Sequence, residues 1–210
     1  MTGRRGLFIS FEGTEGSGKS TQIRILVERL RADGLTVIEN QEPGGTPIGR
    51  EIRRILLDPM HQEMAATTEL LLMFASRAQA ASEVIRPALE RGEIVVSDRF
   101  TDSSLAYQGE AREIGFETVL ALHRLALGDL RPDLTLCLSI DVAAGLKRAF
   151  QRSAPSDRLD RQSLAFHERV ARGYRKIAEL EPERFRFVDA NGDPEAVAAR
   201  VWNRVAPLLK

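Results

Sequence analysis

The sequence predicts an α/β fold with a parallel sheet, and three observations predict it. Short apolar runs of strand length alternate with longer segments whose apolar residues recur every three or four positions. A glycine-rich run, Gly13-Thr14-Glu15-Gly16-Ser17-Gly18-Lys19-Ser20, separates the first strand-like run from the first helical one. Acidic residues and arginines stand just after strand-like runs, where an open parallel sheet faces its ligand crevice.

Leu7 to Phe11 is the first expected strand. The helix after the glycine-rich run, about Lys19 to Ala32, carries Ile23, Leu26, Val27 and Leu30 at helical spacing, and Asp33-Gly34 ends it. Leu35 to Glu39 is the second strand, and Pro43-Gly44-Gly45-Thr46-Pro47 a loop by composition. A short helix covers Gly49 to Leu57. A long one runs from Thr68 to Arg91, its apolar positions Leu70, Leu71, Phe74, Ala78, Ala81, Ile85 and Ala88 advancing by threes and fours, with a kink expected at Pro87 and a stop at Gly92. Ile94-Val95-Val96 is a buried strand ending at Asp98. Helices are expected over Phe116–Leu127, Val142–Phe150, Ser163–Leu180 and Pro194–Leu209, and strands over Leu134–Ile140 and Phe185–Val188. The sum is five parallel strands flanked by helices in three α/β/α layers, with a short lid at about residues 148–160.

The chain has 210 residues, and one domain spanning 1–210 is the expectation at that length. Lys and Arg together number 30, matched by 30 Asp and Glu, which argues against holding nucleic acid or an anionic membrane through bulk positive charge. The one cysteine, Cys137, excludes an intrachain disulfide and a cysteine zinc cluster. No apolar run approaches membrane-spanning length, and Met1 to Gly6 lacks the pattern of a signal peptide, so the expected compartment is the cytoplasm.

The run from Gly13 to Ser20 matches the phosphate-binding loop G-x-x-x-x-G-K-[ST]. Its glycines let the backbone curl so that the amides point inward, and the helix that follows adds its free N–H groups and dipole to the anion site. In such a loop Lys19 reaches the β/γ-phosphates of ATP and the Ser20 hydroxyl coordinates Mg²⁺. The absence of an Asn-Lys-x-Asp run disfavours a GTPase, and the short, neutral chain disfavours a helicase. Arginines near strand ends suit a phosphotransferase that clamps a second phosphate. By topology Glu15, Glu42, Asp98 and Arg99 should converge on one cleft.

The sequence resembles the bacterial thymidylate kinase family almost end to end. The resemblance is carried by Phe11-Glu12 running into the phosphate loop, Glu42-Pro43-Gly44-Gly45-Thr46, Ser76-Arg77, Asp98-Arg99-Phe100, Ser103-Ser104-Leu105-Ala106-Tyr107-Gln108-Gly109, Arg131-Pro132-Asp133-Leu134-Thr135 and Asp157-Arg158. It implies phosphoryl transfer from MgATP to dTMP without a covalent intermediate, and a homodimer. It also implies that Glu15 bonds the sugar 3′-hydroxyl, that Arg53 and Arg99 hold the acceptor phosphate, and that Arg77 bonds a thymine carbonyl. Ser104 and Gln108 then contact the base edge, and Tyr107 crowds the sugar 2′ position.

Several alternatives stay open at this level. Arg50 and Arg54 compete with Arg53. Arg99 either clamps phosphate or pairs with Asp98, and Asp98 either supports the Mg²⁺ shell or caps a helix. The family places an aromatic ring four residues before the arginine equivalent to Arg77; here that position is Met73, and Phe74 is favoured as the ring that stacks on the base. The resemblance to the family's bacterial branch, whose phosphate loop lacks a catalytic arginine, implies that the lid supplies one; the loop here contains none, and Arg148 and Arg152 are the candidates with Arg158 behind them. His61, His123 and His167 show no spacing for metal or triad chemistry. Two rival functions are a kinase for another nucleoside monophosphate and a nucleotide-sensing module with a degenerate site.

Overall fold

Apolar residues on alternate positions of the central strands divide the interior into two cores, one on each side of a five-stranded sheet. A computed structural model describes residues 5–151 and 157–209. The strands are β1 (Phe8–Glu12), β2 (Val37–Gln41), β3 (Ile94–Asp98), β4 (Leu134–Ser139) and β5 (Phe185–Asp189). They lie in the order β2-β3-β1-β4-β5, and every pairing is parallel. On β1, Phe8 faces one core with Val95, Phe100 and Tyr174, whereas Ile9 and Phe11 face the other with Leu26, Leu30 and Val201. The first core is covered by α3 (Ala66–Ala80), α6 (Phe116–Leu127) and α8 (Leu164–Leu180), the second by α1 (Lys19–Ala32) and α9 (Pro194–Val205). This is the three-layer α/β arrangement that the alternating pattern predicts.

The central position of β1 matters for the site. Phe11 pairs with Asp98 on one side and Leu136 on the other, so the loop leaving β1 emerges mid-sheet, beside the end of β3. Among the described residues, four helix starts are capped by side chains. Thr46 Oγ1 accepts from Gly49 N at 3.0 Å, which starts α2 (Pro47–Leu57) two residues earlier than its apolar pattern suggests, with Pro47 inside the first turn. Asp141, Ser163 and Asp193 cap α7 (Val142–Phe150), α8 and α9 in the same way.

Several elements differ from expectation. β2 begins at Val37, because Leu35 N bonds back to Leu30 O and is used in closing α1. The long helix is interrupted: α3 passes into a π-helical turn at Ala81–Ile85 and resumes as α4 (Arg86–Glu90). Pro87 lacks a backbone N–H, and the wide turn just before it is where the helix accommodates that loss. The last helix tightens to a 3₁₀ turn at Ala206–Leu209. Finally, α5 (Thr101–Ser104) and a π-helical stretch at Leu105–Ala111 form a helix that apolar periodicity does not reveal, since nearly all of its residues are buried and no polar face marks the period.

Candidate active site

The phosphate loop takes its shape from glycines that no other residue could replace. Gly16 has φ 70°, and a Cβ there would stand 1.9 Å from Gly145 O. Gly18, the N-cap of α1, has φ 90° with open space around it, so backbone conformation alone requires glycine. Lys19 Nζ donates to Gly13 O at 3.0 Å and Thr14 O at 3.2 Å, curled over the loop. Burial and the nearby Arg99 charge push the Lys19 ammonium down to about 8.

A cleft of about 620 Å³ opens over this loop, lined by Gly16, Gly18, Lys19, Ser20, Asp98 and Arg148 among others. A deeper cavity of about 80 Å³ lies beside it, walled by Met73, Arg77, Ser103, Ser104, Tyr107 and Gln108. The two share Glu15, Glu42, Arg53, Arg99 and Asp157. Glu15, Glu42, Asp98 and Arg99 thus meet on one cleft.

Arg99 dominates the shared wall. Its backbone has φ 74°, in the left-handed region, with its N–H on Phe11 O at 2.9 Å. The guanidinium donates to Gly13 O, Ser103 Oγ and Tyr174 Oη through one nitrogen, and to Glu15 Oε1 and Tyr107 Oη, each at 3.2 Å, through the other. None of these partners is Asp98. Nor does Asp98 cap a helix, since α5 is preceded by Phe100 and has no side-chain cap. Instead Asp98 Oδ1 is buried with no hydrogen-bond partner among the described residues. An orphaned carboxylate oxygen in the same cleft as the Ser20 hydroxyl suits a hard cation such as Mg²⁺. Among the described residues no group of three or more His, Cys, Asp or Glu could hold a metal alone, so such an ion would share its ligands with phosphate or water.

Glu15 accepts from Tyr107 Oη at 2.6 Å as well as from Arg99. His167 Nδ1 stands 2.9 Å from its other oxygen. Burial alone would raise this carboxyl, but His167, Arg99 and Lys19 outweigh it and bring it down to about 2. The histidine therefore belongs to the site, which its sequence spacing does not indicate; it lies 152 residues from Glu15 on α8, and only the fold joins them.

Of the arginines on α2, Arg53 turns inward and donates to Pro43 O at 2.7 Å, whereas Arg54 pairs with Glu51 on the surface and Arg50 is exposed. Arg77 is 1% exposed, ion-paired through Nε with Glu42, and donates to Ser104 Oγ at 3.0 Å. Phe74 requires correction. It is 2% exposed and part of the core on the α3 side, with the Arg77 guanidinium 4.8 Å from its ring centre. The cavity wall at this turn of α3 is Met73, one position along the helix and about 100° round from Phe74.

Arg148 lines the cleft from the end of α7. Arg152 lies outside the described residues, as do residues 153–156 of the expected lid. Arg158 is not on the cleft at all: it is 1% exposed, donating to Leu56 O and to Glu69. In the sequence Glu12 stands out only as part of a motif, yet in the fold it anchors the whole wall from behind. It accepts from Phe100 N at 2.8 Å, from Ser103 Oγ and from Tyr174 Oη at 2.9 Å. Burial and the Asp102 charge push it up to about 7.

A family model described as thymidylate kinase matches residues 11–201. The thymidylate kinase of Pseudomonas syringae pv. tomato is 51% identical over 205 residues, covering 98% of this chain and 97% of its own. That of Lactobacillus delbrueckii subsp. bulgaricus is 49% identical over 200 residues, 94% of each chain. That of Desulfovibrio desulfuricans is 47% identical over 210 residues, 97% of each.

Proposed function

The chain belongs to the thymidylate kinase family, and from that premise we propose how its residues divide the work of moving the γ-phosphoryl group of MgATP to dTMP, giving dTDP and ADP. It is a kinase that phosphorylates dTMP. The observation that carries the assignment of roles is the wall shared by the two cavities, on which Glu15, Arg53 and Arg99 stand between the phosphate loop and the base-sized recess.

ATP would lie in the larger cleft with its phosphates on the amides of Gly13 to Ser20. Lys19 would leave the carbonyls of Gly13 and Thr14 for the β/γ-phosphates. The residues that would hold Mg²⁺ are Ser20 and Asp98, and the ion supplies charge neutralisation at the phosphates. dTMP would enter the deeper cavity. Its base would meet Met73, Arg77, Ser104 and Gln108, its sugar Tyr107 and Glu15, and its phosphate Arg53 and Arg99. A phosphate oxygen of dTMP forms the new bond to the γ-phosphorus while the bond to the ADP oxygen breaks and its electron pair leaves with ADP. No protein nucleophile is needed. The contribution of the protein is alignment and charge stabilisation by Lys19, Arg99, Arg53 and the lid arginines, Arg148 and Arg152. Closure of the segment at about 148–160 would exclude water and so suppress ATP hydrolysis.

Homodimerisation is part of the same proposal, supported by the exposed Leu71 on α3 and Leu125 on α6. So is a cytoplasmic location of a single 210-residue domain, with small-molecule partners and neither nucleic acid nor membrane; no helix among the described residues is long and apolar enough to cross a membrane. Turnover measured side by side with dTMP, dUMP, AMP and CMP tests the assignment. A clear preference for dTMP is expected, and a preference for AMP or CMP would refute it.

A further inference from the structure

Glu69 is sealed in the first turn of α3, fully buried, and its carboxylate gathers three side chains from distant parts of the chain. Oε1 accepts from Gln108 Nε2 at 2.8 Å and from Arg112 Nε at 3.3 Å. Oε2 accepts from Arg112 at 3.1 Å and from Arg158 at 2.6 Å. Burial pushes this carboxyl up, but Arg112, Gln108 and Arg158 overcome it and hold it below the usual carboxylate range. It is therefore an ionised group that can only accept hydrogen bonds.

That fixes the neighbouring amide. Gln108 can satisfy Glu69 only by offering its NH₂ group, so its carbonyl oxygen must point elsewhere. No hydrogen bond among the described residues engages Gln108 Oε1, and Gln108 lines the deeper cavity beside Arg77, Ser104 and Tyr107. We propose that Glu69 is a specificity-determining positioning residue: by locking the Gln108 amide in one orientation, it makes the acceptor site select pyrimidines with a protonated N3 and a C4 keto group over 4-aminopyrimidines. This rests on the reading above that Gln108 faces the base edge.

The chemistry follows from donor and acceptor polarity. Thymine offers N3–H as a donor and O4 as an acceptor; cytosine offers N3 as an acceptor and N4–H as a donor. A free glutamine could serve either base by rotating its amide through half a turn. Here rotation would set the Gln108 carbonyl against the Glu69 carboxylate, two acceptors facing each other without water. Arg112 and Arg158 keep Glu69 from moving aside. Arg158 is itself anchored to Leu56 O, so the lock has little slack.

The test is the ratio of kcat/KM for dTMP to that for dCMP, with KM for ATP as the control, in the full-length protein. In Glu69→Gln the neighbouring amide can itself turn, and Gln108 regains both orientations. The ratio should fall about tenfold, with KM for ATP held within about twofold. Should that variant not fold, the double variant Glu69→Met with Arg158→Met removes the buried carboxylate with its innermost cation, an exchange for apolar groups that buried pairs commonly tolerate; the same fall is expected. Equal losses for dTMP and dCMP would make Glu69 a structural anchor and overturn the proposal. Gln108→Leu separates the two readings. An unchanged ratio and unchanged KM for dTMP in that variant would remove Gln108 from the base edge altogether. A reduced ratio there, with the Glu69 variants unaffected, would overturn the role of Glu69 alone.

Discussion

Arg99 and Glu15 face each other at 3.2 Å across the wall that the two cavities share. The pair ties the end of β3 to the phosphate loop, so the residue proposed for the acceptor phosphate is held in register with the one proposed for the acceptor sugar. A cation at that point lies between two anionic reactants, where bridging charge does the most.

Arg99→Lys should therefore lower kcat by about 10²–10³-fold, because a lysine ammonium cannot span Glu15, Tyr107 and the Gly13 carbonyl together. KM for ATP should change by less than about threefold. Steady-state kinetics with each substrate varied separately checks this; a loss confined to the KM for ATP would move Arg99 to the donor site.

Lys19→Ala should cut turnover by orders of magnitude with the fold intact by circular dichroism. In the wild type, burial and the Arg99 charge push the Lys19 ammonium down to about 8, so its charge is lost as pH rises past that value. The kcat/KM for ATP should accordingly fall as pH rises through about 8. A flat profile from pH 7 to 9.5 would mean that Lys19 keeps its charge throughout this range.

Glu12 gives a stability prediction of definite sign. Its folded-state value of about 7 lies above the ordinary 4.5, so the folded protein holds this proton more tightly than the unfolded chain does. The resulting stabilisation is fully present below pH 4.5 and is lost as pH rises through about 7, a change of about 3 kcal/mol. Glu12→Gln keeps one acceptor oxygen for Phe100 N and turns its NH₂ group toward Ser103 and Tyr174, whose hydroxyls can accept from it. Its Tm should gain on that of the wild type between pH 5 and pH 8; a constant difference would mean that Glu12 stays ionised throughout.

Met73 and Phe74 should separate cleanly. Met73→Ala is expected to raise KM for dTMP by about fivefold to tenfold with a modest loss of Tm, since its side chain walls the cavity. Phe74→Leu should cost about 1 kcal/mol of stability, from core packing and the Arg77 contact, with KM for dTMP nearly unchanged. The reverse pattern would restore Phe74 to the base.

The sequence made the sheet legible because its strands are short apolar runs broken by helical periodicity, and the phosphate loop legible because its function needs glycine at set positions. Local periodicity could not show the helix over residues 101–111, which is buried on nearly every side. Nor could it tell Met73 from Phe74, where one position along a helix rotates a side chain by 100°. His167, Glu12 and Glu69 act on the site from α8, β1 and α3. Each is joined to its partner across 39 to 162 residues, a relation that no spacing rule records.

The most direct test follows the γ-phosphoryl group itself. With ATP labelled at the γ-phosphate, dTMP added at saturation and Mg²⁺ present, the label should appear in dTDP in step with ADP, and ADP formation should nearly cease when dTMP is omitted. Label released as inorganic phosphate at a rate indifferent to dTMP would contradict the account.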